Sequence, residues 1–276
     1  MELSTLFSGL LAAGLVLLLG EVSPPGRGKT LLPRALAVGL TLPLALLAGY
    51  HSLHGQAPPW PPIDALGILV YCLPLTALVR FLPHRRLGLV LAFAGLGLWL
   101  WYGLEPYHGR HWLGSQPMLR LAGAAVTLLV LGFALDRCLS KGEQGWWLSA
   151  GLLGLLVIGA LLVAQSSGAS ALLLGCLGVA VGSSSAVCLR AKDPAAFAAL
   201  AWPVTLGAGG LLLNGVLYAS TPASSGLCMA GALGVLCAPV PNKMAAHFLR
   251  LLFSLALAGW GLCLGWPESD PYAAGW

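Results

Sequence analysis

Between Phe197 and Tyr218 the chain reads FAALAWPVTLGAGGLLLNGVLY, without one charged residue. A helix rises about 1.5 Å per residue, so ~20 such residues cross the hydrocarbon core of a bilayer. The run is also interrupted. Pro203 lacks a backbone N–H, and Gly207, Gly209 and Gly210 weaken the helix beyond it. In lipid, freed backbone groups must find partners in neighbouring helices, hydroxyls or water. A break at mid-depth therefore belongs inside a bundle, and this stretch is expected at its centre.

The rest of the chain agrees with a lipid solvent. Of its 276 residues 58% are hydrophobic and 8% charged, where a soluble domain carries roughly a quarter charged. The fold class that follows is an all-α, polytopic integral membrane helix bundle. Its 37 glycines and 19 prolines suit helices that pack closely and bend. An Ala-, Gly- and Leu-rich composition with Arg above Lys points to a GC-rich bacterial source. Seven cysteines include no Cys-x-x-Cys pair, and no disulfide framework is read from them. Cys138 falls in a basic loop, while Cys72, Cys176, Cys228, Cys237 and Cys263 fall in apolar runs. The first twenty residues lack the basic start and small-residue cleavage site of a signal peptide, so a retained first helix is expected.

Ten apolar runs have spanning length or nearly so: Leu3–Gly20, Pro33–Tyr50, Ile63–Leu82, Leu87–Leu104, Leu119–Leu135, Trp147–Gln165, Ala169–Leu189, Ala196–Tyr218, Gly226–Val240 and Ala245–Gly265. The ninth is short and holds Pro239. Basic residues fall between alternate runs: Arg27, Lys29 and Arg34, then Arg80, Arg85 and Arg86, then Arg137 and Lys141, then Arg190 and Lys192, then Lys243 and Arg250. Twelve of the fourteen Lys and Arg thus lie on one side, and only Arg110 and Arg120 on the other. The positive-inside rule makes that side cytoplasmic. The expectation is about ten transmembrane helices in a bacterial inner membrane, with both termini outside. Read so, the net charge of +5 is a topology signal, and nothing calls for nucleic acid. The loops are too short for a soluble domain, so residues 1–276 form one transmembrane domain with halves 1–140 and 141–276. Five spans per half make the halves inverted relative to each other, as in many transporters. Pro74-Leu-Thr76 and Pro203-Val-Thr205, each in the third span of its half, are the one echo that supports such a repeat.

Two constellations could carry chemistry. Tyr50-His51-Ser-Leu-His54 and Tyr107-His108-Gly-Arg-His111 repeat one pattern at the outer surface. Histidines three apart share a helical face and are common metal ligands, so His51, His54, His108 and His111 define an outside metal or haem reading. An interfacial belt of Tyr, Trp and His explains the same residues more simply. The second constellation is polar material at depth: Thr41, Thr76, Ser183 to Ser185, Thr205 and Asn214. These side chains could line a path for a neutral solute, or bond helix to helix. No ionisable residue falls near mid-depth, which weighs against proton pumping and voltage sensing. Gly178 and Gly182 form a Gly-x-x-x-Gly face, with the Ala196–Tyr218 helix expected as its partner.

Motifs for hydrolases, metalloproteases, phosphate loops and dinucleotides are missing, which weighs against an enzyme, and no cofactor is called for. The balance favours a small permease- or flippase-like transporter for a neutral or lipid-like substrate. Its pathway would be lined by Pro74, Thr76, Pro203, Thr205, Gly207, Gly209, Gly210 and Asn214. The alternative is a non-catalytic structural or accessory subunit of a membrane complex. The partner in either case is the lipid bilayer, with a second membrane protein or a second copy of the chain compatible with both. Sidedness is directly testable in a bacterial host. Alkaline phosphatase fused after Trp276 should be active and a fluorescent protein fused there dark; the reverse pattern would contradict the assigned orientation.

Overall fold

A computed structural model describes residues 14, 34–62, 64–78, 94, 97, 115–141, 145–218, 221–241 and 243–265. Every regular element among them is helical: α1 (Arg34–His54), α2 (Ala65–Leu78), α3 (Ser115–Ser140), α4 (Gly145–Ala164), α5 (Gly168–Ala191), α6 (Pro194–Ala198), α7 (Ala201–Tyr218), α8 (Ala223–Leu236) and α9 (Met244–Gly265). Among the described residues six stretches are long and apolar enough to cross a membrane: Arg34–His54, Ala122–Ser140, Gly145–Ala164, Gly168–Arg190, Ala196–Val216 and Met244–Gly265. The protein is therefore a multi-pass membrane protein. Two shorter apolar helices, Ala65–Thr76 and Ala223–Leu236, accompany them. The expected spans Leu3–Gly20 and Leu87–Leu104 lie outside the described residues, apart from helical Gly14, Ala94 and Gly97.

Local chemistry sets the helix ends. Gly55 closes α1 at φ 71, with its N–H on the His51 carbonyl at 2.8 Å, a conformation glycine adopts without steric penalty. Asp64 caps α2, its carboxylate accepting the Gly67 N–H and the Tyr50 hydroxyl. Ser167 caps α5 by accepting the Ser170 N–H at 3.3 Å. Asp193 caps α6 through the Ala196 N–H at 3.0 Å and also faces Arg34 at 3.7 Å. Helix α8 stops at Leu236, just before Ala238-Pro239, because the residue ahead of a proline avoids the helical region.

Short links between antiparallel neighbours bring Arg34, Arg137, Lys141, Arg190, Lys192, Lys243 and Arg250 to one end of the bundle. The Arg34–Asp193 pair and the 3.1 Å bond from Arg250 to the Ala238 carbonyl lie there. We refer to this as the basic end and to the other as the far end.

Helix α7 is the centre. It touches α1, α2, α3, α4, α5 and α8, and the Ala196–Val216 stretch is 78% buried, against 28% for Ala122–Ser140 and 22% for Met244–Gly265. The expected break at Pro203 and the glycines is corrected. The interruption falls at Ala199–Leu200, between α6 and α7, and α7 runs unbroken from Ala201 to Tyr218. Pro203 sits in the first turn, where a helix N–H has no intrahelical acceptor and none is lost. The glycines are used for close approach. A Cβ on Gly209 would collide with Leu128 of α3, and one on Gly207 would meet Leu177 of α5 at 3.0 Å.

The partner of the Gly178/Gly182 face is also corrected. Those positions face Leu156 and Leu153 of α4, at 3.8 and 3.4 Å from the built Cβ atoms. Helices α4 and α5, joined by a short turn, pack on each other there, and α7 meets α5 through Leu177. The α8–α9 pair is closer still. A Cβ on Gly261 would lie 2.7 Å from Cys228 Cβ and 3.2 Å from the Ser225 carbonyl, whereas Gly259 on the same helix has open space. Gly261→Ala is therefore expected to destabilise by about 1–3 kcal/mol, as overpacking does, and Gly259→Ala to be neutral or slightly stabilising. Thermal unfolding of the two variants in detergent checks this, and equal losses would contradict the packing.

Candidate functional site: an apolar slot beside the central helix

Helices α3, α4, α7 and α8 do not close completely on one another. Between them lies a cavity of about 710 Å³, with Leu174 of α5 at its back. On α7 it extends from Val204 to Val216, about 18 Å at the helical rise. Four glycines are part of its lining: Gly123, Gly159, Gly209 and Gly226. A Cβ at Gly159 would find only ordinary contacts, Met229 Cε at 3.4 Å and Leu212 Cδ2 at 3.5 Å. Gly123, Ala223 and Leu227 line the slot and are exposed. All three belong to the far-end halves of α3 and α8, so the slot opens sideways there, between those two helices.

Among the described residues the walls are leucine, valine, alanine and glycine, with one methionine, and none of them is charged. Polar atoms come from three threonines. Thr127 donates to the Gly123 carbonyl at 2.8 Å and Thr205 to the Ala201 carbonyl at 2.8 Å. Thr221 pairs with Ser166 Oγ at 2.8 Å. With the first two protons engaged within their own helices, those hydroxyls offer a guest only acceptor capacity. The far end is richer. Ser166 and Thr221 join the α4–α5 turn to the start of α8, while Asn214 Nδ2 donates to Ser170 Oγ at 3.2 Å and ties α7 to α5. The slot is thus hydrocarbon along its length, with neutral hydroxyls at the open end.

Of the residues assigned to a pathway from sequence, Thr205 and Gly209 line the slot. Gly207 faces away, toward Leu177 and Leu73. Pro74, Thr76, Pro203, Gly210 and Asn214 are not part of the wall. Thr76 is buried on α2 and donates to the Leu73 carbonyl at 2.6 Å. The two Pro-x-Thr segments do sit on antiparallel neighbours, joined where Leu73 meets Gly207. Among the other polar residues, Thr41 donates to the Ala37 carbonyl and Ser183 to those of Val179 and Ala180. Ser184 and Ser185 are buried without a hydrogen-bond partner among the described residues.

His54 stacks on the Tyr50 ring at 4.3 Å between centroids, and His51 is exposed beside it. His108 and His111 lie outside the described residues. Among the residues that are described, no three His, Cys, Asp or Glu side chains gather as metal ligands.

Sequence reasoning missed Gly159, Gly226, Thr127 and Thr221. The available signal was small residues on helices that otherwise read as lipid-facing, which takes on meaning only once the helices are assembled.

Fold and site together define a multi-pass helical membrane protein with a laterally open apolar slot. No protein-family model matches the chain, and neither does any curated protein or solved structure. The functional reading therefore rests on the slot itself. The Asn214–Ser170 bond is expected to contribute about 0.6 kcal/mol, as interhelical bonds in lipid do. Asn214→Leu and Ser170→Ala should each lower stability by that order, and the double variant by no more than the larger single loss. Additive losses in a double-mutant cycle would contradict a shared bond.

Proposed function

We propose that this chain is a small permease- or flippase-like protein of a bacterial inner membrane that accepts a neutral, lipid-like molecule into the slot beside α7. The observation that carries the reading is the wall: an apolar channel about 18 Å long, open sideways between α3 and α8, with no charged side chain among the described residues. A hydrocarbon chain fits that surface. An ion or a sugar would leave its polar groups unpaired, at a cost of roughly 2–7 kcal/mol for each buried group. The Ser166–Thr221 pair at the open end suits an uncharged polar head, while the chain lies along Leu212, Leu155 and Met229. The antiparallel α2–α7 contact is compatible with a 5+5 inverted arrangement, and movement of the two halves would carry the slot's opening from one leaflet toward the other.

A second reading has its own observation. Helix α9 is 22% buried over its apolar window and exposes Phe248, Leu249, Leu252, Phe253 and Trp260, a face that a partner subunit or lipid would cover. An accessory role predicts that the slot is dispensable and the α9 face is not.

The test is reconstitution of the full chain in vesicles carrying a fluorescent lipid with a neutral headgroup, followed by quenching from outside. The chain is expected to speed transbilayer movement, and Gly159→Leu, which grows a side chain into the slot, to reduce the rate at least about tenfold, or ~1.4 kcal/mol of barrier. A rate equal to that of protein-free vesicles, or full activity in a folded Gly159→Leu variant, would sink the reading.

A further inference from the structure

At the basic end α3 and α8 meet, with Cys138 of one against Cys237 at the end of the other. Cys138, in the last turn of α3, donates from Sγ to the Cys237 carbonyl at 3.1 Å. That bond sets the Cys138 thiol against the backbone of Cys237 itself, so the two cysteines meet across the seam between the helices. Both are free, with Cys138 half-buried and Cys237 7% exposed. Cys237 is the residue that ends α8, its N–H on the Leu233 carbonyl at 3.0 Å. The next residue is fixed too, because the Arg250 guanidinium donates to the Ala238 carbonyl at 3.1 Å. Arg137 and Lys141 flank Cys138 in the chain, and Arg250 is held at the carbonyl next to Cys237; positive neighbours of this kind accompany reactive cysteines. The remaining cysteines are placed differently. Cys72, Cys176 and Cys188 are buried, Cys228 packs under Gly261, and Cys263 is exposed on α9.

We infer that Cys138 and Cys237 form a redox-convertible dithiol that joins α3 to α8 covalently at the basic end when oxidised. The oxidant is a low-molecular-weight disulfide. The Cys138 thiolate attacks one of its sulfurs, forming a mixed disulfide and releasing one thiolate. Cys237 loses its proton and attacks the Cys138 sulfur, which expels the second thiolate and leaves a Cys138–Cys237 bond. The protein gives up two protons and two electrons, and the small disulfide becomes two thiols. Half-exposed Cys138 is placed to meet the reagent and buried Cys237 to resolve it, the usual division of labour in thiol–disulfide exchange. The consequence for the fold is specific. The slot is open between α3 and α8 at the far end, so a bond between the same two helices at the basic end would hold that end shut.

The experiment uses the purified full chain in detergent, treated with oxidised glutathione, then denatured and alkylated with a maleimide. The expected result is two fewer alkylated cysteines than in the untreated protein and no retained glutathione. Proteolysis should yield a Cys138 peptide linked to a Cys237 peptide, reversibly on reduction. Cys237→Ser should instead retain one glutathione on Cys138, and Cys138→Ser should lose no thiol pair. Wild-type protein that keeps all its thiols, that stops at a mixed disulfide, or whose link joins any other pair would overturn the inference. None of these readouts depends on transport, so failure here leaves the slot's reading untouched.

Discussion

A backbone in hydrocarbon has no water to bond, and every N–H and C=O must be satisfied within the protein. That constraint makes each apolar run a helix and limits where a run may be interrupted. It also explains how the central segment is built. The one interruption in the Ala196–Tyr218 stretch, at Ala199–Leu200, lies at the basic end, where Asp193 caps the short α6 and Arg34 pairs with it. Past that point α7 is continuous, and its glycines admit Leu128 and Leu177 rather than breaking the helix.

Close approach at some glycines and open space at others produce the slot. Where Gly209 takes Leu128 and Gly261 takes Cys228, helices meet backbone to side chain. Where Gly159 faces only the ends of Met229 and Leu212 at ordinary contact distance, the wall recedes. An apolar cavity in a soluble protein is held open against the hydrophobic effect. In a membrane, lipid chains can fill a laterally open one, so the same shape carries a much smaller penalty. A bundle can therefore keep such a slot, and its chemistry is set by two threonines bonded within their own helices and the Ser166–Thr221 hydroxyl pair.

The helical, multi-pass character was legible in the sequence because it depends on run length and charge, both of which are local. The alternation of basic loops likewise matches the common basic end formed by Arg34, Arg137, Lys141, Arg190, Lys192, Lys243 and Arg250. What depended on assembly was not legible. Pro203 looked like a mid-helix break because its distance from the true helix start at Ala201 cannot be read from hydropathy. Gly178 and Gly182 mark a close-packing face without naming its partner. Thr76 and Thr205 looked equivalent, yet only Thr205 lines the cavity, while Thr76 is buried on α2 against its own helix. Cys138 and Cys237 are 99 residues apart, and no spacing rule would pair them.

The most direct measurement is the environment of a spin label at Ala208, on the slot wall midway along α7. The account places hydrocarbon there, so the label should relax strongly with molecular oxygen, which partitions into lipid, and weakly with a polar nickel chelate. Strong relaxation by the chelate would mean a water-filled path, and insensitivity to both would mean a sealed interior. Either result would contradict a slot that opens to the lipid.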